Sequence, residues 1–191
     1  KEMKFLATPE KGEVSALLIR PADASQMLVL GHGASRNMRH ATLQTIAERM
    51  ADASVATFRY NFPYMERGAG RDSQEVCTAT VRSAVAGAHK AAPDLHLLAG
   101  GHSFGGRMTS TAASEAPLEN VDGLVFFSFP LHQPGKLDTK RADHLSAVNV
   151  PMLFLSGARD EMASLDLLQP VCKKLGKRAT LHLLDTADHG F

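Results

Sequence analysis

Leu95-His96-Leu97-Leu98-Ala99-Gly100-Gly101-His102-Ser103-Phe104-Gly105-Gly106-Arg107 decides how this chain is read. Its first half, Leu95–Gly100, is a short apolar run of the kind that forms a buried parallel strand. Its second half opens a segment, Phe104–Ala116, that can continue as a helix. Between them lies Gly101-His102-Ser103-Phe104-Gly105, a G-x-S-x-G pattern. The five-residue pattern alone is weakly specific; its position between a strand and a helix is the specific part. A sharp turn there pushes Ser103 into strained geometry, and the small glycines at 101 and 105 let neighbouring backbone approach. The helix that follows points the positive end of its dipole at the same place, where a developing oxyanion would be stabilised. A glycine turn for a dinucleotide would need G-x-G-x-x-G spacing, which is lacking here.

Working outward, strands and helices alternate along the chain. Lys4–Thr8 and Val14–Arg20 flank the turn cluster Pro9-Glu10-Lys11-Gly12 and read as an opening hairpin. Gln26–Leu30, Ser54–Tyr60, Gly123–Phe127, Met152–Ser156 and Ala179–Leu184 read as further strands. Ala41–Ala53, Gln74–Ala91 and Ser164–Leu175 carry apolar residues at helical spacing, the last stopped by Gly176. Asn61–Arg71 is read as irregular and Phe129–Asn149 as a long connection. The alternation predicts an α/β protein with a mainly parallel central sheet of seven to eight strands, an N-terminal antiparallel hairpin and helices on both faces. Sites in such sheets lie beyond the C-terminal ends of the strands.

Three more strand ends carry reactive residues. Ser156-Gly157-Ala158-Arg159-Asp160 follows one strand, and Asp160 is either a solvated turn residue or a catalytic acid. Asp188-His189-Gly190-Phe191 follows the last strand and supplies His189 as a base. His32-Gly33-Ala34-Ser35 follows Gln26–Leu30. Acyl transfer needs two backbone N–H donors aimed at the oxyanion; Phe104, after the nucleophile, and Ala34 are the candidates, with Ser35 the near alternative. His32 is read as ordering that loop through hydrogen bonds.

Composition excludes more than it names. At 191 residues the chain fits one domain, residues 1–191, long enough for a sizeable core. Hydrophobic residues make 44% and charged residues 21%, and a net charge of +1 gives no field for nucleic acid or an anionic membrane. Cys77 and Cys172 are too sparse for a disulfide framework and read as buried thiols. No apolar run is long enough to span a membrane and no signal-peptide pattern opens the chain, so a cytoplasmic location is expected. Lys173, Lys174, Lys177 and Arg178 form a basic cluster suited to a helix C-terminus.

Taken together, the chain resembles the α/β-hydrolase fold along almost its whole length. The resemblance is carried by His32-Gly33-Ala34, Phe58-Arg59-Tyr60-Asn61-Phe62-Pro63-Tyr64, the segment around Ser103, Phe129-Pro130-Leu131-His132-Gln133-Pro134-Gly135-Lys136, His144-Leu145, Leu155–Asp160 and Asp188–Phe191. It is similar to small, lidless, dienelactone-hydrolase-like bacterial serine hydrolases, a group related to the hydrolase-like domain of a eukaryotic chromatin-complex subunit. The serine, acid, histidine order in the chain is the one this fold uses. The resemblance implies Ser103 as nucleophile, Asp160 as acid and His189 as base, acting without metal or organic cofactor on a small ester-like substrate. Dienelactone hydrolases proper use cysteine as nucleophile, so their substrate is not implied. The fold usually closes with a helix after the histidine, whereas this sequence stops two residues beyond it, so that helix is read as either missing or disordered. If it is missing, apolar surface beside the last strand is expected to be uncovered. Lids in this fold enter at the stretch Ser128–Pro151, too short here for a lid domain, so an open site is expected. Tyr60 and Tyr64 are read as packing or as one wall of that site. Arg107, one turn beyond Ser103, is read as a buried ion pair or as a contact for a substrate anion. A partner-binding module with a vestigial site and an acyltransferase are the rival functions.

Overall fold

In a computed structural model, which describes residues 1–191, the run around Gly100 is a strand with parallel neighbours on both sides. The strands are β1 (Glu2–Thr8), β2 (Gly12–Ile19), β3 (Gln26–Gly31), β4 (Val55–Tyr60), β5 (His96–His102), β6 (Val121–Phe127), β7 (Met152–Gly157) and β8 (Ala179–Leu184). They form one sheet in the order β1-β2-β4-β3-β5-β6-β7-β8. The β1/β2 and β2/β4 pairs are antiparallel, and every other pair is parallel. This is the α/β-hydrolase arrangement read from the sequence, with the expected N-terminal hairpin.

The helices are α1 (Ala41–Asp52), α2 (Pro63–Arg67), α3 (Gln74–Ala91), α4 (Phe104–Glu115) and α5 (Leu165–Leu175). The strands are apolar on both sides because both sides are covered. In β3, Met27 and Val29 join the large core with Phe58, Met108, Phe126 and Phe154, under α3 and α4. The alternating residues Leu28 and Leu30 pack with Leu43 and Ile46 of α1 and with Phe127. Each fully buried leucine contributes about 2 kcal/mol of transfer free energy, so a strand with two covered faces excludes other registers strongly.

Two connections differ from the reading. Asn61–Arg71 contains α2, which Pro63 opens and Gly68, at φ 63°, closes. Phe129–Asn149 contains a 3-10 helix, Lys140–Ala147, packed along α4. No lid covers the sheet edge above it. The basic cluster lies at the end of α5, where Arg178 donates to the carbonyls of Ser146 and Val148. Cys77 and Cys172 are buried and unpaired. No helix is long and apolar enough to cross a membrane.

From β3 the chain steps outward to β4, then returns over α3 to β5 on the other side of β3. The crevice opened by this reversal lies beyond Gly31 and Gly101, which pair across β3 and β5.

Candidate active site

Ser103 is the single residue between β5 and α4, and it turns the chain with φ 51° and ψ −114°. A side chain held in that region costs about 1–3 kcal/mol, so its surroundings must hold it there. The Ser103 N–H donates to Phe127 O at 2.9 Å, and the Arg107 N–H donates to Ser103 O at 3.1 Å. The Thr109 hydroxyl braces both sides of the turn, reaching Gly100 O and Gly105 O at 3.2 and 2.9 Å. Glycine is required by contact rather than by dihedral: a Cβ on Gly105 would lie 2.3 Å from the carbonyl of Gly31, and one on Gly101 2.5 Å from the same oxygen. The turn is thus pressed against the end of β3, and Ser103 Oγ comes up beside the loop that follows it.

Asp160 and His189 reach the same point from the ends of β7 and β8. His189 Nε2 lies 2.8 Å from Ser103 Oγ, and Nδ1 lies 2.9 Å from both oxygens of Asp160. A carboxylate can only accept, so Nδ1 carries the hydrogen and Nε2 presents its lone pair to the serine hydroxyl. The Asp160 side chain has no solvent exposure and also accepts the Met162 N–H at 2.8 Å. The histidine loop is tied down on either side. Asp188 Oδ1 accepts the Gly190 N–H at 2.7 Å, and His102 Nε2–H donates to His189 O at 2.8 Å. Burial is the main cause that lowers the His102 pKa, which keeps that ring neutral.

The third wall is the loop after β3. His32 is fully buried; its Nδ1–H donates to Gly33 O at 2.7 Å, and its Nε2 accepts the Phe62 N–H at 3.0 Å. Burial drops its pKa to about 4, so the ring stays neutral and both bonds persist near neutral pH. The Tyr64 hydroxyl donates to Ala34 O at 2.8 Å. Fixed in this way, the Ala34 amide and the Phe104 amide have no acceptor within the chain. A cavity of about 640 Å³ opens at Ser103, lined among others by Ala34, Ser35, Arg36, Arg159, Met162 and His189.

Of the residues singled out in the sequence, Ser103, Asp160 and His189 come into one hydrogen-bonded chain, and Ser35 lines the cavity. Tyr64, read as packing or as one wall of the site, is only 2% exposed, packs inward and holds the Ala34 loop through its hydroxyl. Arg107 is half-buried over the Phe104 ring, 5.8 Å from its centroid. The ion pair read for it does not form, since no carboxylate pairs with it. His102 was the residue missed. It stands next to the nucleophile in the quoted motif, but its bond runs to a backbone atom 87 positions away. Arg36, His40, Arg159 and Met162 line the cavity without any sequence signal. No three His, Cys, Asp or Glu side chains are grouped to hold a metal ion.

Known proteins share this architecture. A dienelactone hydrolase from Anabaena variabilis is 18% identical and superposes with a TM-score of 0.80, over 100% of this chain and 88% of that one. A lidless α/β serine hydrolase from Xanthomonas campestris is 19% identical with a TM-score of 0.78, over 100% and 86%. The esterase Est1E from Butyrivibrio proteoclasticus, solved with ferulic acid, is 16% identical with a TM-score of 0.73, over 94% and 88%. Identities this low speak for the fold alone. Residues 24–191 match the family model of the alpha/beta hydrolase domain, and that match spans the crevice, the strained serine turn and both loops facing it. On that match the chain belongs to the alpha/beta hydrolase family.

Proposed function

We propose that this protein is a serine hydrolase of the carboxylesterase or thioesterase type, acting on a small ester-like substrate through an acyl-enzyme. The observation that carries the reading is the unbroken chain from Ser103 Oγ through the His189 ring to Asp160, with separations of 2.8 and 2.9 Å. His189 Nε2 takes the hydroxyl proton as Ser103 Oγ attacks the carbonyl carbon, while Asp160 holds the tautomer and balances the imidazolium. The Ala34 and Phe104 amides donate to the oxyanion, each worth about 3–4 kcal/mol in comparable sites. His189 then returns the proton to the departing alcohol or thiol, and water repeats the sequence to free the acid and Ser103.

The open cavity and the absence of a lid suit a small substrate. A net charge of +1 gives no attraction to nucleic acid or to membrane surfaces. Two buried, unpaired thiols suit a reducing compartment, so we assign the protein to the cytoplasm. The test is labelling with a fluorophosphonate probe. Wild-type protein is expected to be labelled at Ser103, and Ser103→Ala to be unlabelled while keeping its fold. A wild-type protein that stays unlabelled, or a Ser103→Ala variant labelled equally well, overturns the proposal.

A further inference from the structure

The His189 ring has one lasting anchor in the hydrogen-bonded chain. Asp160 holds Nδ1 at 2.9 Å, whereas the bond from Nε2 to Ser103 Oγ, 2.8 Å long, breaks whenever that hydroxyl reacts. A ring held at one atom can swing its far nitrogen away from the nucleophile, so the backbone beneath it has to be fixed as well. Up to Ala187 it is. Ala187 O accepts the Arg159 N–H at 3.0 Å, and a Cβ on Gly157 would lie 2.3 Å from the same oxygen, which presses the loop onto the end of β7. Past that point the ties weaken. The Gly190 N–H turns back onto Asp188 Oδ1, inside the loop itself, and Gly190 O meets the Thr42 hydroxyl only at 3.4 Å. The backbone of His189 makes a single hydrogen bond, at its carbonyl oxygen, and the donor is the Nε2–H of His102 at 2.8 Å.

His102 is placed to make that bond rigid. It is the last residue of β5 and precedes Ser103 directly, so one stretch of backbone carries both its ring and the nucleophile. It is 8% exposed and lines the cavity at Ser103. The other edge of the ring faces the loop after β3, where a Cβ on Gly33 would lie 3.2 Å from Nδ1. The ring therefore bridges the Ala34 loop and the histidine loop, with its centroid 5.5 Å from that of His189.

We propose that His102 is a positioning residue for the acyl-transfer reaction: its Nε2–H pins the His189 carbonyl and thereby registers the His189 ring to Ser103. The inference rests on the serine-hydrolase reading. His189 Nε2 takes the proton from Ser103 Oγ as Oγ bonds to the carbonyl carbon. It returns that proton to the leaving oxygen or sulfur as the bond from carbon to the leaving atom breaks. His102 gives up no proton in either step. It keeps Nε2 of His189 within reach of both atoms, and a misplacement of about 1 Å in such a site costs about a hundredfold in rate.

The experiment measures p-nitrophenyl butyrate hydrolysis by wild type, His102→Leu, His102→Gln and His102→Asn. Each kcat is expressed per reactive Ser103, counted by titration to completion with a fluorophosphonate probe. His102→Leu fills similar space without an N–H and is expected to lower kcat per site about 30- to 100-fold, with KM changed by less than about threefold. The amide of His102→Gln reaches the place of Nε2 and is expected to recover kcat to within about fivefold of wild type. The amide of His102→Asn stops at the place of Nδ1 and is expected to stay near the leucine variant. If His102→Leu fails to fold, the two amides carry the test alone. A residue that only supports the fold would lower the number of reactive sites and leave kcat per site unchanged, and that result overturns the proposal. Equal kcat per site in the glutamine and asparagine variants overturns it too, because reach of the donor would then be irrelevant. Both outcomes leave the hydrolase reading standing. Wild-type protein that neither hydrolyses the ester nor takes the label defeats that reading, and this inference with it.

Discussion

His32 makes the oxyanion-side loop sensitive to acid, and the size of the effect follows from its burial. The ring has no solvent exposure and is neutral, with both nitrogens bonded to backbone. Protonation would bury a charge and turn the acceptor facing the Phe62 N–H into a donor. The folded-state pKa is about 4 against an ordinary 6.5. Between those values the unfolded chain binds a proton that the folded chain refuses, so stability rises with pH across the window and is lost as pH falls through it. At 1.36 kcal/mol per pH unit, moving from pH 7.5 to 4.5 removes about 2.5 kcal/mol through this one residue. His32→Gln supplies the comparison, because its amide oxygen reaches the place of Nε2 and accepts the same N–H without titrating. The measurement is urea unfolding of both proteins at pH 7.5, 5.5 and 4.5. His144, which burial also lowers to about 4, is present in both proteins and cancels, as does any constant cost of the substitution. The wild type is expected to lose about 2.5 kcal/mol more than the variant over that range. Equal losses would refute the reasoning and mean that the His32 pocket admits a charge or opens before it does.

Two further perturbations test the triad and the turn. Asp160→Asn presents an amide N–H to His189 Nδ1 and forces the hydrogen onto Nε2, facing Ser103; kcat on an activated ester is expected to fall about 10⁴-fold with the fold intact, and a drop under tenfold would remove Asp160 from its role. Gly105→Ala drives a Cβ to 2.3 Å from the Gly31 backbone, where no flexible side chain can give way. A loss of about 3 kcal/mol on denaturation is expected, with loss of probe labelling at Ser103. Gly70→Ala, with nothing within 4 Å, is the matched control and should stay within about 0.5 kcal/mol. A well-tolerated Gly105→Ala would mean that β3 and α4 are not pressed together as described.

What was legible in the sequence and what was not divides along a physical line. Ser103 and Asp160 each follow an apolar run, and a strand that is covered on both faces announces itself by composition alone, as Leu97–Gly100 and Met152–Leu155 do; His189 follows the edge strand β8, which carries Thr180 and His182 and has no buried residue. The rule that sites lie beyond strand ends then brings residues 29 and 86 positions apart to one place without any knowledge of contacts. That rule does not give the direction of a side chain outside a regular element. Pro63 and Gly68 open and close α2, but five residues are too few to show a helical period, so the segment reads as irregular and leaves both packing and a wall of the site open for Tyr64. Arg107 failed for another reason: spacing put it one turn from Ser103, but spacing does not say whether a carboxylate waits beside it, and none pairs with it. The bonds that hold the site together, Tyr64 to Ala34 O, His32 to the Phe62 N–H and His102 to His189 O, all end on backbone atoms of distant loops. Any residue type offers those backbone atoms, so no pattern of side chains can encode their partners. The sequence therefore fixes where the reactive groups stand by local rules, while the rigidity that keeps them at reacting distance is a property of the folded sheet edge as a whole.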